Sequence, residues 1–276
     1  MKYDERLIGR KPSDEFIARS RARLDEMFKR RFAHRQAIRT ARASVDAASF
    51  DVMRSLARDD DRLTTAVRHA HKLSTARAKE RPKHPKRTKV QPRQRLGSVA
   101  VTLVPPFWPW QWTATTGSAT ATADAEGGAG TLSFDAWTGD NGKTASAAAA
   151  LGGYFQPLAD NGIMDVTANP AYSYDWETWT VFDSAHAGDF IGLYVGEYTL
   201  DGEFIQAVVD QQIPMSTYES GGTPLFARTP VDSDHFYEIW VWAGGDAEAD
   251  GWSAFWGSAA LSYGSVTVPS ISIYAY

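Results

Sequence analysis

Charge is segregated along this chain more sharply than one compact domain requires. Residues 1–96 hold 27 of the 29 Lys+Arg and 12 of the 33 Asp+Glu, a local net charge of +15. Residues 97–276 hold the remaining 2 and 21, a net charge of −19, so the overall −4 is a near-cancellation. All 10 Trp fall in the acidic part. Such a break predicts two physically different parts joined in one chain. Three segments follow: a basic helical module at 1–76, a basic linker at 77–96 and an acidic, Trp-rich β-sandwich at 97–276.

The basic module reads as helix. Ser13 is suited to cap a helix, and Asp14 and Glu15 suit the positive end of its dipole. Phe16, Ile17, Leu24, Met27, Phe28, Phe32 and Ile38 then recur at helical spacing, surrounded by Arg and Lys. A second set, Val52, Met53, Leu56, Leu63, Val67, Ala70 and Leu73, predicts another helix over about 46–78, with Asp59, Asp60 and Asp61 on or beside its surface. The expectation is an amphipathic helical hairpin used for assembly or anchoring. A stripe so narrow suits bundle or coiled-coil packing, and three large Phe in it favour burial against another chain or the sandwich.

Residues 77–94 contain eight basic residues, one acid and three Pro, a composition that gives an extended linker and not a core. Lys83, Lys86, Arg87, Lys89, Arg93 and Arg95 are the candidates there for polyanion contact, since Lys and Arg release counterions from phosphates whatever the base sequence. Nucleic acid bound through residues 1–96 is one reading. Neutralisation by the acidic part of the same chain is its competitor, because +15 tethered to −19 is a strong attraction.

After Gly97 the texture changes to short alternating runs separated by Gly, Asn and Asp turns, such as Gly139–Asp140–Asn141–Gly142 and Asp160–Asn161–Gly162. Runs at about 130–137, 145–155, 162–168, 171–181, 188–199, 203–210, 235–243, 253–262 and 266–275, with another near 116–124, predict an antiparallel, jelly-roll-like sandwich. The long uncharged run Trp252–Tyr276 is too rich in Ser, Gly and Pro for a membrane span and reads as strands. The N-terminus is charged from its second residue and lacks the apolar run of a secretory signal, so cytoplasmic synthesis is expected, with any release by lysis or a non-classical route.

No nucleophile elbow, phosphate loop, zinc helix or dinucleotide fingerprint is present. The chain has no Cys, which removes disulfides and thiolate metal sites. The acidic part is therefore read as non-enzymatic, without a cofactor. Its one metal-like pattern is Asp246, Glu248 and Asp250 followed by Gly251, the alternating oxygens of a calcium loop; an acidic hairpin loop gives the same spacing. Asp232 and Asp234 form a second alternating pair.

Aromatic residues are the better functional lead. Tyr172, Tyr174 and Trp176 share one strand face with Trp179 on the other, and Trp240 and Trp242 share a face with Glu238. Rings on both faces of a strand cannot all enter one core, so one set is expected to meet a ligand such as a glycan, or a neighbouring subunit. Trp176, Trp179, Trp240, Trp242, Tyr172 and Tyr174 are the candidates. The expected protein is a structural or binding protein with a displayed sandwich head, forming a homo-oligomer or larger assembly. The alternatives are a nucleic-acid-binding coat-like protein or a pore-forming toxin.

Overall fold

In a computed structural model, residues 12–58, 101–139, 143–157, 162–180, 184–215, 219–250 and 258–275 are described, together with 60, 62, 64–66, 69 and 72. The linker residues Lys83, Lys86, Arg87, Lys89, Arg93 and Arg95 lie outside them.

The helix α1 spans Asp14–Arg58. Its start follows the sequence: the Ser13 Oγ accepts a hydrogen bond from the Phe16 N–H at 3.1 Å, and Asp14 and Glu15 occupy the first turn. The hairpin turn expected before the second helix at about 46 is absent, and α1 continues through it. No Gly or Pro interrupts Asp14–Arg58, and Arg and Ala, which dominate 39–48, are good helix formers. The break falls instead at the Asp triplet. Asp60 accepts the Arg62 N–H on its side chain and the Thr64 N–H on its backbone oxygen, which starts a new helical turn.

Among the described residues fourteen antiparallel strands follow: β1 (Val101–Leu103), β2 (Trp108–Thr115), β3 (Thr120–Glu126), β4 (Thr131–Thr138), β5 (Lys143–Phe155), β6 (Gly162–Ala168) and β7 (Ala171–Thr180). The remainder are β8 (Ser184–Thr199), β9 (Phe204–Pro214), β10 (Glu219–Gly222), β11 (Leu225–Val231), β12 (His235–Asp250), β13 (Ser258–Thr267) and β14 (Ile271–Ala275). They form three sheets, ordered β2-β5-β12-β8-β9, β10-β7-β13-β4-β3 and β1-β14-β6-β11.

Eight strands carry the sandwich. The order β5-β12-β8-β9 faces β4-β13-β7-β10, and the chain steps β4 to β5, β7 to β8, β9 to β10 and β12 to β13 each cross between layers. That is the double Greek-key order of a jelly roll. The third sheet extends the second layer across a crease. Gly222 faces Ala171 and Leu225 faces Ala168, so the β10–β11 and β7–β6 pairing keeps one register through the bend at Pro170 and Pro224. The main core lies between the two layers and includes Leu132, Phe134, Leu151, Ile191, Leu193, Ile239, Val241 and Ile273.

α1 forms a third layer on the other face of β2-β5-β12-β8. Phe16 meets Tyr198 and Phe236, and Leu24 and Phe28 enter a second core with Trp110, Tyr194, Trp240 and Trp242. Full burial of side chains such as Leu24 and Phe28 contributes about 1.5–3 kcal/mol each. The Phe stripe thus closes on the sandwich of its own chain. The charges flanking it do the same: Arg31 pairs with Asp210, Arg35 with Asp246, and Arg39 with Glu248 at 3.3 Å. Part of the opposed charge of the two segments is neutralised internally.

Candidate ligand-binding face

Flat rings on the helix-facing sheet require room beneath them. Trp240 lies across Gly152 of β5, and Trp242 lies across Gly192 of β8. A Cβ on either glycine would sit 2.4 Å or 2.3 Å from the ring. Small residues, Ala148 and Ala150, complete the floor, and α1 closes over the top. Trp240 and Trp242 are 0% and 2% exposed, so neither offers a ring face to a ligand. Trp110 is held in the same layer by its Nε1–H, which donates to Asp25 Oδ1 at 3.0 Å.

The carboxylates beside these rings are committed too. Asp246 and Glu248 are not in a loop. They lie in the second half of β12, where alternate residues face α1, and this alternation produces the spacing that resembles a calcium loop. Asp246 accepts from Ser146 and pairs with Arg35, while Glu248 pairs with Arg39, whose Nη1 also donates to Thr144 Oγ1 at 2.9 Å. Burial, with Arg31 adding to it, lowers the Arg35 pKa to about 10, against the pull of Glu248. Asp250 sits opposite Ser184 at the end of the strand; its side chain is outside the described set. Glu238 is fully buried under α1, accepts hydrogen bonds from Ser20 and from Tyr198 at 2.6 Å, and has its pKa raised by burial.

Tyr172 and Tyr174 point into the interlayer core, with ring centroids 5.3 Å apart, and the Tyr172 hydroxyl meets Thr223 Oγ1 at 2.9 Å. Trp176 is half-buried on the same face, its Nε1–H donating to the Met215 carbonyl at 3.3 Å. Of the sequence candidates, Trp179 alone stands on the outward face of its sheet.

There it has a partner that sequence reasoning missed. Trp137 of β4 and Trp179 of β7 approach across β13, with ring centroids 6.2 Å apart at 66°. Register explains the meeting. Leu261 of β13 pairs with Trp137 on one side and Glu177 on the other, and Ala259 pairs with Trp179. One step along the same face, Tyr263 lies between Asp135 and Asp175, its hydroxyl donating to Asp175 Oδ2 at 3.4 Å. Burial raises the Asp175 pKa, against the hydrogen bonds from Tyr263 and the Trp176 N–H. Ser133, Ser265 and Ser173 form the next row. The strands β4, β7 and β13 contain no Lys or Arg. The face therefore presents two half-buried indoles and the half-buried Glu177 and Ser133, Ser173 and Ser265, while Asp135, Tyr263 and Asp175 between them are buried. The sequence signal was the placement of Trp137 and Trp179 on faces opposite the core residues of their strands, but only the pairing through β13 shows that they meet.

No protein-family model matches this chain, and no curated protein matches it. Several solved structures are similar in part. One is TmCBM61 in complex with beta-1,4-galactotriose, at 9% identity and a TM-score of 0.23, over 59% of this chain and 88% of that one. Another is a carbohydrate-binding module of the β-sandwich superfamily noted for promiscuous specificity, at 11% and 0.26, over 58% of this chain and 56% of that one. A third is the family 11 carbohydrate-binding module of the cellulase Lic26A-Cel5E of Clostridium thermocellum, at 11% and 0.22, over 59% and 86%.

Proposed function

We propose that the sandwich is a glycan-binding head and that its ligand lies on the outer face of β4, β13 and β7. The observation that carries this reading is the Trp137–Trp179 pair set beside the Asp135–Tyr263–Asp175 row. Sugar rings present C–H groups that stack on indole faces and hydroxyls that donate to carboxylates such as the half-buried Glu177 beside the pair. With three acids and no cation on these strands, the face suits a neutral glycan and disfavours uronic or sulfated ones. Binding, without bond cleavage, is the chemistry proposed. α1 fastens this head to the N-terminal segment, whose proposed role is assembly or anchoring.

The test is affinity electrophoresis and calorimetry against xylan, β-1,4-galactan and mixed-linkage β-glucan. The wild-type chain should be retarded by at least one of them. Trp137→Ala and Trp179→Ala should each weaken binding about tenfold, which corresponds to about 1.4 kcal/mol per stacked ring. No retardation by any neutral polysaccharide, or full retention of binding in the double variant, overturns the proposal.

A further inference from the structure

The turn between β11 and β12 gathers a second constellation, unrelated to the glycan face. Asp232, Asp234 and His235 each bring one ligand atom, and these atoms lie within 4.8 Å of one another. The pairings around His235 reach beyond the turn. Its Nδ1 lies 2.9 Å from Glu197 Oε1, while its Nε2 is turned toward Asp234 Oδ1 at 3.9 Å. Glu197 is itself anchored: Tyr237 donates to Oε1 at 2.8 Å and Gln206 to Oε2 at 2.7 Å. The Tyr237 hydroxyl in turn accepts the Asp232 N–H at 3.0 Å, and Gln156 Nε2 donates to the Ser233 carbonyl at 2.9 Å.

We propose that Asp232, Asp234 and the Nε2 of His235 bind a divalent transition metal of the zinc class, with Glu197 as the residue that orients the histidine. An imidazole held by a carboxylate on one nitrogen and free to ligate through the other is the usual second sphere of a metal-bound histidine. With Nδ1–H donating to Glu197, Nε2 carries the lone pair and faces Asp234. Two carboxylates and one imidazole match Zn²⁺ or Co²⁺, whereas Ca²⁺ and Mg²⁺ take oxygen ligands. Zinc bonds of about 2.1 Å place tetrahedral ligand atoms about 3.4 Å apart, so the present spread needs only side-chain rotation to close. Three protein ligands leave a position for water or for a ligand from a partner. The site sits at the start of β12, whereas Trp137 and Trp179 lie toward the Thr138 and Thr180 ends of their strands.

The test is a titration of the full chain with Co²⁺ at neutral pH, followed by visible absorption and calorimetry. Wild type should bind one equivalent with a visible ligand-field band that Zn²⁺ displaces and Ca²⁺ does not. His235→Gln should lose that equivalent, whatever the other five histidines bind, with an unchanged thermal midpoint. Asp234→Asn, at a side chain 78% exposed, should weaken binding without affecting the fold. Glu197→Gln should weaken it 10- to 100-fold. No cobalt band in wild type, or an undiminished one in both His235→Gln and Asp234→Asn, overturns the site. Unchanged affinity in Glu197→Gln overturns the orienting role.

Discussion

Replacing Phe28 by alanine should show whether α1 is part of the folded unit or an appendage. Phe28 is 3% exposed, and its ring lies 5.0 Å from Trp110, 5.8 Å from Trp112 and 5.2 Å from Trp242. Removing it leaves a cavity bounded by three indoles and the glycine-floored sheet, which cannot collapse onto the gap. A buried Phe→Ala change of this kind costs about 3–5 kcal/mol. Phe32, one turn on, is half-buried and meets Trp112 at 6.0 Å. Its alanine variant should cost about 1 kcal/mol. Urea unfolding followed by far-UV circular dichroism, which reports the helix, and by tryptophan emission, which reports the sandwich that holds all ten indoles, separates the cases. Both signals should shift together in Phe28→Ala. A loss below about 1 kcal/mol, or equal losses at Phe28 and Phe32, refutes the packing argument. Helix signal lost well before any change in emission refutes the single unit.

Two further outcomes follow from buried groups and from the join between segments. Asp189 is fully buried, accepts from Ser262, and has its pKa pushed well above the usual carboxylate range by burial. The unfolded chain therefore releases this proton near pH 4 while the folded one retains it, and stability falls as pH rises from there toward the folded pKa. Asp189→Asn should raise the thermal midpoint, and by more at pH 8 than at pH 4; an equal gain at both, or a loss, refutes this. Separately, a protease recognition sequence inserted within 77–96 and cleaved should leave the N-terminal piece bound to the sandwich on gel filtration, because the sandwich alone would expose Trp240 and Trp242. Clean separation without loss of sandwich stability refutes it.

Much of this architecture could be read from residue patterns. β4, β6 and β7 fall within a residue or so of the alternating runs that predict them, since one face of each meets the core and period two survives. The helix start was legible from Ser13, Asp14 and Glu15. The helix end was not, because the apolar stripe thins after Ile38 while nothing in the backbone stops the helix before the Asp triplet. β11 alternates perfectly between buried and exposed, yet Pro224 and Pro230 disguise it; both prolines stand where the strand begins or projects outward at the edge of its sheet. The assignment of Trp240 and Trp242 to a ligand face failed for a different reason. Trp240, Trp242 and Trp179 are chemically alike in the sequence, and what separates them is whether the distant helix α1 covers their face.

The attachments of the helix to the sheet run in a line along its axis. From Asp14 to Arg39, about 39 Å at 1.5 Å per residue, they pass from the aromatic cluster around Phe28 to Arg35–Asp246 and then to Arg39–Glu248. A sideways pull at the Arg39 end loads these attachments one at a time, first Arg39–Glu248, then Arg35–Asp246, and only afterwards the aromatic cluster around Phe28. A pull along the axis loads all of them in parallel. The same joint is thus weak against peeling and strong in shear, and the direction from which the N-terminal segment is tugged decides which response the molecule gives.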